Sequence, residues 1–552
     1  MFKTINIIRI VSIITAVLVI NGCAVNLAEK NYVQGVTQFS QYGQVKGEID
    51  KGTGNIIWRG IKYAKAPVGD LRWRAPQAPD SWSGVKETKD NPPACAQGSN
   101  ASGEEDCLYL SVYRPSTVDN NLPVYVWIHG GSNKTGSAPD LSLFAKNSNL
   151  VVVSIQYRLG PLGFMNHEAL KTSDPLESSG NYGILDQIAA LKWVQTNIRL
   201  FGGDPSNVTV AGESAGAHDI LALLTIEQAN GLYHKAVYQS GGMENVSLKQ
   251  AREFSTQFVE KLSLKSTGSA LAGDLRALKV NTLLKAMPGK WRFGVVTDGK
   301  LIKGNLLCLM KRGKYNKVPI FLGGNRNEYS MWLQWFGGPE RKWSKLSRTL
   351  RRKRAAKISD ILNDDEQKTF AFTSSLTSRL WVAQLVHSVA RYMREYQDDV
   401  YVYDFQWGGT KGSNVDFVLG ASHANELGYF HYGGKWDWMG RGLSLTKDNE
   451  AARLALSNAM MTYQAQFAYS GNPNGKADLP KWEVWSNDET GVKTMNLDTS
   501  SEPGSAQLNL YMTKREYIQA KLIQEMDDSN DPIAQKFTKM IAKHKLVKLE
   551  CE

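Results

Sequence analysis

The sequence predicts an α/β fold with a mainly parallel central sheet that is covered by helices on both faces. Short apolar runs, typical of buried strands, alternate with longer helical segments along the chain. One such run, residues 208–210, leads through Gly-x-Ser-x-Gly into a good helix-forming segment. That order of strand, sharp turn and helix exposes the serine above the edge of a sheet. With 552 residues, the chain is long enough for one large domain of this kind with insertions.

The first 22 residues have the pattern of a secretory signal. A basic start precedes an apolar run, residues 10–20, that is too short to span a membrane. The run ends in Ile-Asn-Gly-Cys, which resembles a bacterial lipobox, so we expect Cys23 to be lipidated and residues 23–40 to form a tether. The expected location is the bacterial cell envelope, through a lipid anchor in the outer membrane if the cell is Gram-negative. The alternative is simple cleavage and a free periplasmic or secreted protein.

Composition and cysteine usage narrow the partners. Hydrophobic residues make up 42% and charged residues 21% of the chain, and the formal net charge is +12. No nucleic-acid motif accompanies this charge, so no nucleic-acid partner is expected. An exported chain can form disulfides, and Cys95 and Cys107, which flank a polar loop, are the expected pair; the sequence leaves open whether Cys308 and Cys551 pair. No Cys/His cluster has zinc spacing, and we expect no metal or cofactor.

From residue 41 onward the elements suit a single domain, residues 41–552. The pattern predicts an edge hairpin over 41–58, buried strands at 124–128, 150–155, 236–239, 318–322 and 400–405, and helices over 184–200 and 449–467. Between about 331 and 395 the pattern is helical without strands. We interpret this stretch as an insertion that caps the site.

Several longer stretches carry a resemblance to a known family. They are residues 60–73, 105–110, 127–131, 157–160, 180–187, 201–209, 236–241 and 467–474. In their order and coverage, from about residue 40 to 500, the chain resembles the type-B carboxylesterase (cholinesterase-like) family of α/β hydrolases. The resemblance implies the α/β-hydrolase fold and a serine carboxylic-ester hydrolase that acts on small-molecule esters through an acyl-enzyme.

Such chemistry needs a nucleophile, a base and an acid that orients the base, and in this fold they occur in the order Ser, acid, His. Ser214 is the predicted nucleophile. His423 stands in Gly-Ala-Ser-His-Ala-Asn-Glu-Leu, which matches the family's catalytic histidine loop, and His431 is its only serious rival. Glu328, which follows a predicted strand, is the expected acid. Its neighbours depart from the family's usual Asp-Glu-Gly pattern.

The donors of an oxyanion hole follow from the same resemblance. Ala215 comes directly after the nucleophile, and Gly131 and Ser132 lie in the Gly-rich loop after an early strand. The family usually has a third glycine where Ser132 stands and an aromatic residue where Asn133 stands, so we expect a restriction on bulky substrates. Glu213 matches an acidic family position near the histidine. It is a candidate for electrostatic support of the imidazolium, or equally a structural carboxylate.

Other positions bear on structure and specificity. Arg72 with Glu105 and Arg158 with Asp186 resemble the family's internal ion pairs. The loop between the first two cysteines has no aromatic residue, whereas choline esterases carry a tryptophan there, so a choline ester is not expected. Candidates for an aromatic pocket wall, with packing of the cap as the alternative, are Trp332, Trp335, Phe336, Trp436 and Trp438.

The basic run over residues 341–357 has two interpretations. It is either a solvated helix face or a contact for anionic lipid or an acidic ester. For the whole chain, the favoured function is hydrolysis of short-to-medium or aromatic esters. The alternatives are a lipase for longer-chain lipids and a catalytically silent, cholinesterase-like binding module.

Overall fold

The computed structural model describes most of the chain from residue 32 onward. Outside the described residues lie 1–31, 243–244, 288–293, 337–341, 353–356, 437–442, 476–477, 501, 503, 530–531, 533–534, 536–550 and 552. The predicted signal, Cys23 and the first part of the tether therefore fall outside the described residues.

The described strands are, in chain order, β1 (Thr37–Ser40), β2 (Gly43–Lys46), β3 (Glu48–Ile49), β4 (Ile56–Lys62), β5 (Val85–Glu87), β6 (Tyr109–Arg114), β7 (Leu122–Ile128), β8 (Val151–Ile155), β9 (Gly203–Glu213), β10 (Lys235–Gln239), β11 (Val246–Ser247), β12 (Val296–Thr297), β13 (Ile320–Asn325), β14 (Val400–Phe405), β15 (Thr494–Thr499) and β16 (Leu508–Thr513).

The α-helices in the same part of the chain are α1 (Ser142–Ser148), α2 (Gly160–Gly163), α3 (Tyr182–Asn197), α4 (Ala215–Thr225), α5 (Leu248–Lys261), α6 (Gly268–Ala277), α7 (Val280–Lys285), α8 (Leu306–Lys311), α9 (Ser330–Phe336), α10 (Leu346–Arg352), α11 (Asp364–Val382), α12 (Ser388–Arg394), α13 (Asn414–Val418), α14 (Leu427–Phe430), α15 (Glu450–Ser470) and α16 (Gln519–Asp527).

Within the described residues, eleven strands form one large sheet in the order β16-β15-β14-β13-β10-β9-β7-β8-β6-β4-β3. The strands from β15 to β8 pair in parallel, and the strands beyond them at both edges pair antiparallel. The predicted mainly parallel sheet is thus confirmed. The strands and helices predicted above are all present, with ends that differ by up to three residues, except that the strand predicted at 208–210 is longer and extends over Gly203–Glu213.

Both faces of the sheet are buried, and β7 shows how. Val126 and Ile128 pack into the core on one face, together with residues of α3 and α4. The alternate side chains, Tyr125 and Trp127, pack into a second core with residues of α1 and α15. Because side chains alternate across a strand, a strand covered on both sides reads as a continuous apolar run.

Regular structure is present before residue 41. Residues 37–40, assigned to the tether, form β1 and pair with β2 in a separate three-stranded sheet with β5, and the antiparallel edge of the main sheet is β3 and β4 instead. Tyr32 is already buried, with its ring 3.8 Å from the guanidinium carbon of Arg114. Within β1, Gln38 and Ser40 are buried while Thr37 and Phe39 are exposed, so the alternation of a half-buried strand lies inside the predicted tether.

The stretch expected to be helical without strands contains α9 to α12 and no strand among its described residues. Helices α9 to α11 share a small apolar core with α13 and α16, whereas α12 packs into the core of the main sheet. In the basic run, α10 buries Leu346 and Leu350, while Arg348 and Arg352 are exposed, which fits both interpretations of this run. A π-helical segment, Ala383–His387, links α11 to α12.

Two disulfides are present. Cys95 pairs with Cys107, as predicted, and Cys308 pairs with Cys551, which the sequence had left open. The second bridge ties α8 to the end of the chain. Within the described residues, no helix combines the length and the apolar character that a membrane crossing requires.

Candidate active site

The sharp turn between β9 and α4 holds Ser214 in an unusual backbone conformation, with φ 56° and ψ −119°. Two glycines make the turn possible. A Cβ on Gly212 would lie 2.5 Å from the carbonyl carbon of Gly216, and a Cβ on Gly216 would lie 2.2 Å from the carbonyl oxygen of Ile128. No side chain fits at either position, so the Gly-x-Ser-x-Gly pattern is a steric requirement of this turn.

A continuous chain of hydrogen bonds links the three residues predicted as nucleophile, base and acid. His423 Nε2 lies 2.8 Å from Ser214 Oγ, and His423 Nδ1 lies 2.6 Å from Glu328 Oε2. All three residues are buried. Because the carboxylate accepts, Nδ1 carries the proton toward it, which leaves Nε2 to accept the serine hydroxyl proton.

Glu328 sits in the loop after β13, and His423 sits in the loop between α13 and α14. The main-chain N–H of Asn325 donates to the second oxygen of Glu328 at 2.9 Å. Asn327 joins the two loops, because its N–H donates to the carbonyl of Ala421 at 2.9 Å and its Oδ1 accepts from the Ala421 N–H at 3.2 Å. Asn327, which stands where the family usually has an aspartate, therefore ties the loop of the acid to the loop of the histidine.

Glu213 lies where the sequence placed it, with Oε1 3.2 Å from His423 Nε2. Burial raises the pKa of the Glu213 carboxyl to about 8. Burial also disfavours the charged form of His423, but Glu213 and Glu328 outweigh it and raise the pKa of the imidazole to about 9. Two carboxyl groups thus favour the imidazolium that forms when the histidine takes a proton.

A further buried acid, Glu426, was missed by the sequence analysis. Ser240 Oγ and Asn325 Nδ2 both donate to its carboxylate, and Tyr403 OH donates to it at 3.4 Å. Burial, followed by the charge of Glu328, raises its pKa to about 7. The sequence does contain a signal for this residue, because Glu426 is the acidic residue of the loop that carries His423. Its partners, however, are brought together only by the fold.

The Gly-rich loop after β7 passes directly beside the nucleophile. A Cβ on Gly130 would lie 2.7 Å from Glu213 Oε2 and 3.0 Å from Ser214 Cβ. The loop turns through Gly131, Ser132 and Asn133, with φ of 112°, 59° and 53°. The predicted oxyanion donors Gly131, Ser132 and Ala215 therefore lie on the two segments that meet at Ser214.

Asn133 does not narrow the cavity. Its side chain is fully buried, and it donates to Asp219 Oδ1 at 3.0 Å and accepts from Tyr157 OH at 3.1 Å. Ser132 does line the cavity, so the expected restriction on bulky substrates rests on Ser132 and not on Asn133.

A cavity of about 540 Å³ opens onto Ser214 and His423. Trp332, Trp335 and Trp436 line it, as predicted, whereas the side chain of Phe336 and all of Trp438 lie outside the described residues. Trp127 and Tyr432, which the sequence analysis did not single out, line it as well. These residues come from distant segments of the chain. Because most of them are aromatic, the wall that they form is largely apolar.

His431, the predicted rival of His423, lies apart from the hydrogen-bond chain of Ser214, His423 and Glu328. It lies in the cavity wall, its Nε2 is 3.4 Å from Tyr125 OH, and burial lowers its pKa to about 3. The two predicted ion pairs are present. Arg72 binds Glu105 through two contacts of 2.6 and 2.7 Å, and Arg158 binds Asp186 through two of 2.8 and 2.7 Å.

No group of three or more His, Cys, Asp or Glu side chains in the described part of the chain is arranged to hold a metal ion.

A mainly parallel sheet with a serine on the turn between a strand and a helix defines an α/β hydrolase. The comparisons with known proteins agree. A profile of the carboxylesterase family matches residues 34–517, so the chain belongs to this family.

The chain is similar to esterases from animals and bacteria. It is 34% identical over 513 residues to the acylcarnitine hydrolase of Rattus norvegicus, which covers 83% of this chain and 86% of that protein. It is 31% identical over 494 residues to the para-nitrobenzyl esterase of Bacillus subtilis, and the match covers 84% of this chain and 96% of that protein. The crystal structure of the Geobacillus stearothermophilus carboxylesterase matches with a TM-score of 0.69 at 28% identity, and the match covers 86% of this chain and 97% of that chain. The protein is therefore a type-B carboxylesterase, a carboxylic ester hydrolase.

Proposed function

We propose that this esterase works through an acyl-enzyme on Ser214, with His423 as general base and Glu328 as the acid that orients it. One observation carries the proposal: an unbroken hydrogen-bond chain runs from Glu328 through the imidazole to Ser214 Oγ, and its serine end opens onto the aromatic cavity. The spacing suits proton transfer, because both contacts lie within the hydrogen-bonding range of an active base.

In the acylation step, Ser214 Oγ attacks the ester carbonyl while His423 Nε2 takes the hydroxyl proton. The imidazolium then gives this proton to the alkoxide that leaves, and Glu328 holds the ring in place throughout. Water repeats the sequence on the acyl-enzyme, with His423 again as base, and releases the carboxylic acid. The carboxyl of Glu213, 3.2 Å from Nε2, favours the charged ring in both halves.

The N–H groups of Gly131, Ser132 and Ala215 are the proposed donors to the oxyanion. Ala215 begins α4 directly after the nucleophile, and the other two belong to the loop that packs against Ser214. Donors of this kind act because they are already in place when charge develops on the carbonyl oxygen. The loss of one typically costs about 3–4 kcal/mol in the rate-limiting step.

The proposed substrates are short-to-medium or aromatic esters. The aromatic cavity wall supports an aromatic leaving group. Beside the histidine, the Trp381 ring lies 5.7 Å from the His423 ring and 6.3 Å from the Trp332 ring, and it packs so closely on Gly242 that a Cβ there would lie 1.7 Å from it. This ring fills space that a long acyl chain would need, which argues against a lipase.

The rates of hydrolysis of p-nitrophenyl esters, from acetate to palmitate, test the proposal in a soluble variant that starts at residue 24 and so lacks Cys23. Turnover should be greatest at short chains and should vanish in Ser214→Ala and in His423→Ala. Ser206→Ala, at an exposed serine, is the matched control and should behave like the wild type. Activity that persists in Ser214→Ala would refute its role as nucleophile, and a maximum at palmitate would favour the lipase.

We also propose that Cys23 carries a lipid that holds the enzyme at the cell envelope. The support is the sequence pattern alone: a basic start, an apolar run and Ile-Asn-Gly-Cys. In a bacterial host, the full chain should incorporate labelled palmitate and fractionate with membranes. Cys23→Ser should abolish both, and incorporation that persists in this variant would refute the anchor.

A further inference from the structure

The oxyanion loop adopts a conformation that its residues do not favour. Ser132 and Asn133 both have left-handed backbone angles, although neither is glycine. Such angles are unfavourable for residues that carry a Cβ, with asparagine the most tolerant of them. Contacts with the surrounding structure must therefore hold the loop in place.

The main-chain contacts of the loop come from its own residues and from the start of α2. The N–H groups of Lys134 and Thr135 both donate to the Gly131 carbonyl at 3.1 Å, and the Gly160 N–H donates to the Asn133 carbonyl at 2.7 Å. Neither contact reaches α4, the helix whose first residue is the other proposed oxyanion donor.

The side chain of Asn133 makes that connection. Its Nδ2 donates to Oδ1 of Asp219, which lies on α4 one turn after Ala215, and Tyr157 OH donates to its Oδ1. Gln187 on α3 donates to the other oxygen of Asp219 at 2.7 Å. All four side chains are buried, with exposures of 0%. Each oxygen of this carboxylate accepts a hydrogen bond from an amide, and neither oxygen is exposed to solvent. The contact is therefore rigid.

We propose that Asp219 is a positioning residue that, through Asn133, sets the distance between the two halves of the oxyanion hole. The inference rests on the proposed acyl-enzyme mechanism and extends it to a side chain that touches neither substrate nor Ser214. Burial raises the pKa of Asp219 to about 7, while its two amide donors oppose that shift. The loop is thus held by a network that includes a costly buried acid.

Variants at the two ends of the contact test this inference. Asn133→Gly removes the side chain but keeps the left-handed backbone without strain. Asp219→Ala removes the acceptor, and Asp219→Asn is the conservative replacement. In Asp219→Asn the new amide can donate to Gln187 Oε1, which has no partner within the described residues, while its oxygen still accepts from Asn133. Asn149→Gly, at another left-handed asparagine far from Ser214, is the matched control.

The readout is the affinity for an aryl trifluoromethyl ketone, compared with kcat and KM for p-nitrophenyl acetate. The ketone forms an oxyanion on Ser214, so its affinity reports on the donors. Asn133→Gly and Asp219→Ala should each lose about 10- to 100-fold in kcat and in ketone affinity, with little change in KM. Asp219→Asn should keep most of both, and Asn149→Gly all of both.

The double variant Asn133→Gly/Asp219→Ala should be no worse than the more impaired single variant, because both changes break one contact. Unchanged ketone affinity in Asn133→Gly, or losses that simply multiply in the double variant, would overturn the inference. If Asp219→Ala does not fold, the comparison of Asn133→Gly with Asp219→Asn tests the inference in its place. If the wild type neither hydrolyses esters nor binds the ketone, the proposed mechanism itself fails.

Discussion

The turn that carries the nucleophile and the aromatic wall that faces it are built by different means. At the turn, Gly212 and Gly216 let backbone meet backbone at distances that no side chain permits. Trp332, which lines the wall, and Trp381, which stacks on it, come from the helical stretch, and their rings lie 5.8 and 5.7 Å from the His423 ring. The machinery of the reaction is thus set by short-range steric rules, and the space for the substrate is set by long-range packing. Changes at the first should remove activity, and changes at the second should redirect it.

Of the conservative substitutions, Glu328→Gln should lower the rate of the reaction most. The amide keeps the shape of the carboxyl but neither fixes the tautomer of His423 nor balances its charge. We expect kcat for p-nitrophenyl acetate to fall by about 10³- to 10⁴-fold. Glu395→Gln, at an exposed glutamate, is the control. Turnover near that of the control would mean that another carboxylate orients the histidine.

Gly216→Ala tests the steric rule at the turn directly. The new Cβ would clash with the carbonyl oxygen of Ile128, so we expect a loss of about 1–3 kcal/mol in the free energy of unfolding, together with a loss of activity. Gly273→Ala in α6 is the matched control, because a Cβ there meets nothing within 4 Å. That change should stabilise by roughly 0.5–1 kcal/mol. Denaturant unfolding of both variants makes the measurement, and equal effects would contradict the steric account.

Trp381→Ala should redirect activity and leave the reaction itself intact. Removal of the ring opens space beside His423, so kcat/KM for longer acyl chains should rise relative to acetate by roughly 10-fold or more. Trp343→Ala, in the separate core of the helical stretch, should destabilise the protein without altering this ratio. An unchanged chain-length profile in Trp381→Ala would show that another group limits the acyl side.

Glu213→Gln should have the smallest effect on rate and a clear effect on pH dependence. The carboxyl of Glu213 raises the pKa of His423, and only the neutral imidazole can act as base. Without that carboxyl the pKa falls, so the acid limb of the kcat/KM profile should move to lower pH. Glu483→Gln, at an exposed glutamate, should leave the profile in place. An acid limb that stays in place, or moves to higher pH, would exclude an electrostatic role for Glu213.

The sequence predicts the parallel sheet and the reacting residues because both follow local rules. Ser214 needs glycine neighbours at fixed spacing, and His423 and Glu328 lie in loops that follow strands or match a family motif. The sequence does not reveal the first strand, because its buried residues are the polar Gln38 and Ser40. The usual alternation of apolar and polar residues is therefore missing there.

The side-chain networks could not be predicted in the same way. Asn133 and Asp219 are 86 positions apart and meet only once α4 lies beside the loop. Glu426 gains its partners from Ser240 and Asn325, which lie 186 and 101 positions away in the chain. For these residues a polar side chain in the sequence indicates a surface position, and only the fold shows that each one is buried and paired.

The most direct test of the central claim is to trap the acyl-enzyme. The enzyme is mixed with excess p-nitrophenyl acetate, quenched in acid and digested, and the peptides are analysed by mass spectrometry. The account predicts one acetyl group on the peptide that contains Ser214, at that serine, and none in Ser214→Ala. Hydrolysis without any acyl group on Ser214, or an acyl group on another residue, would contradict it.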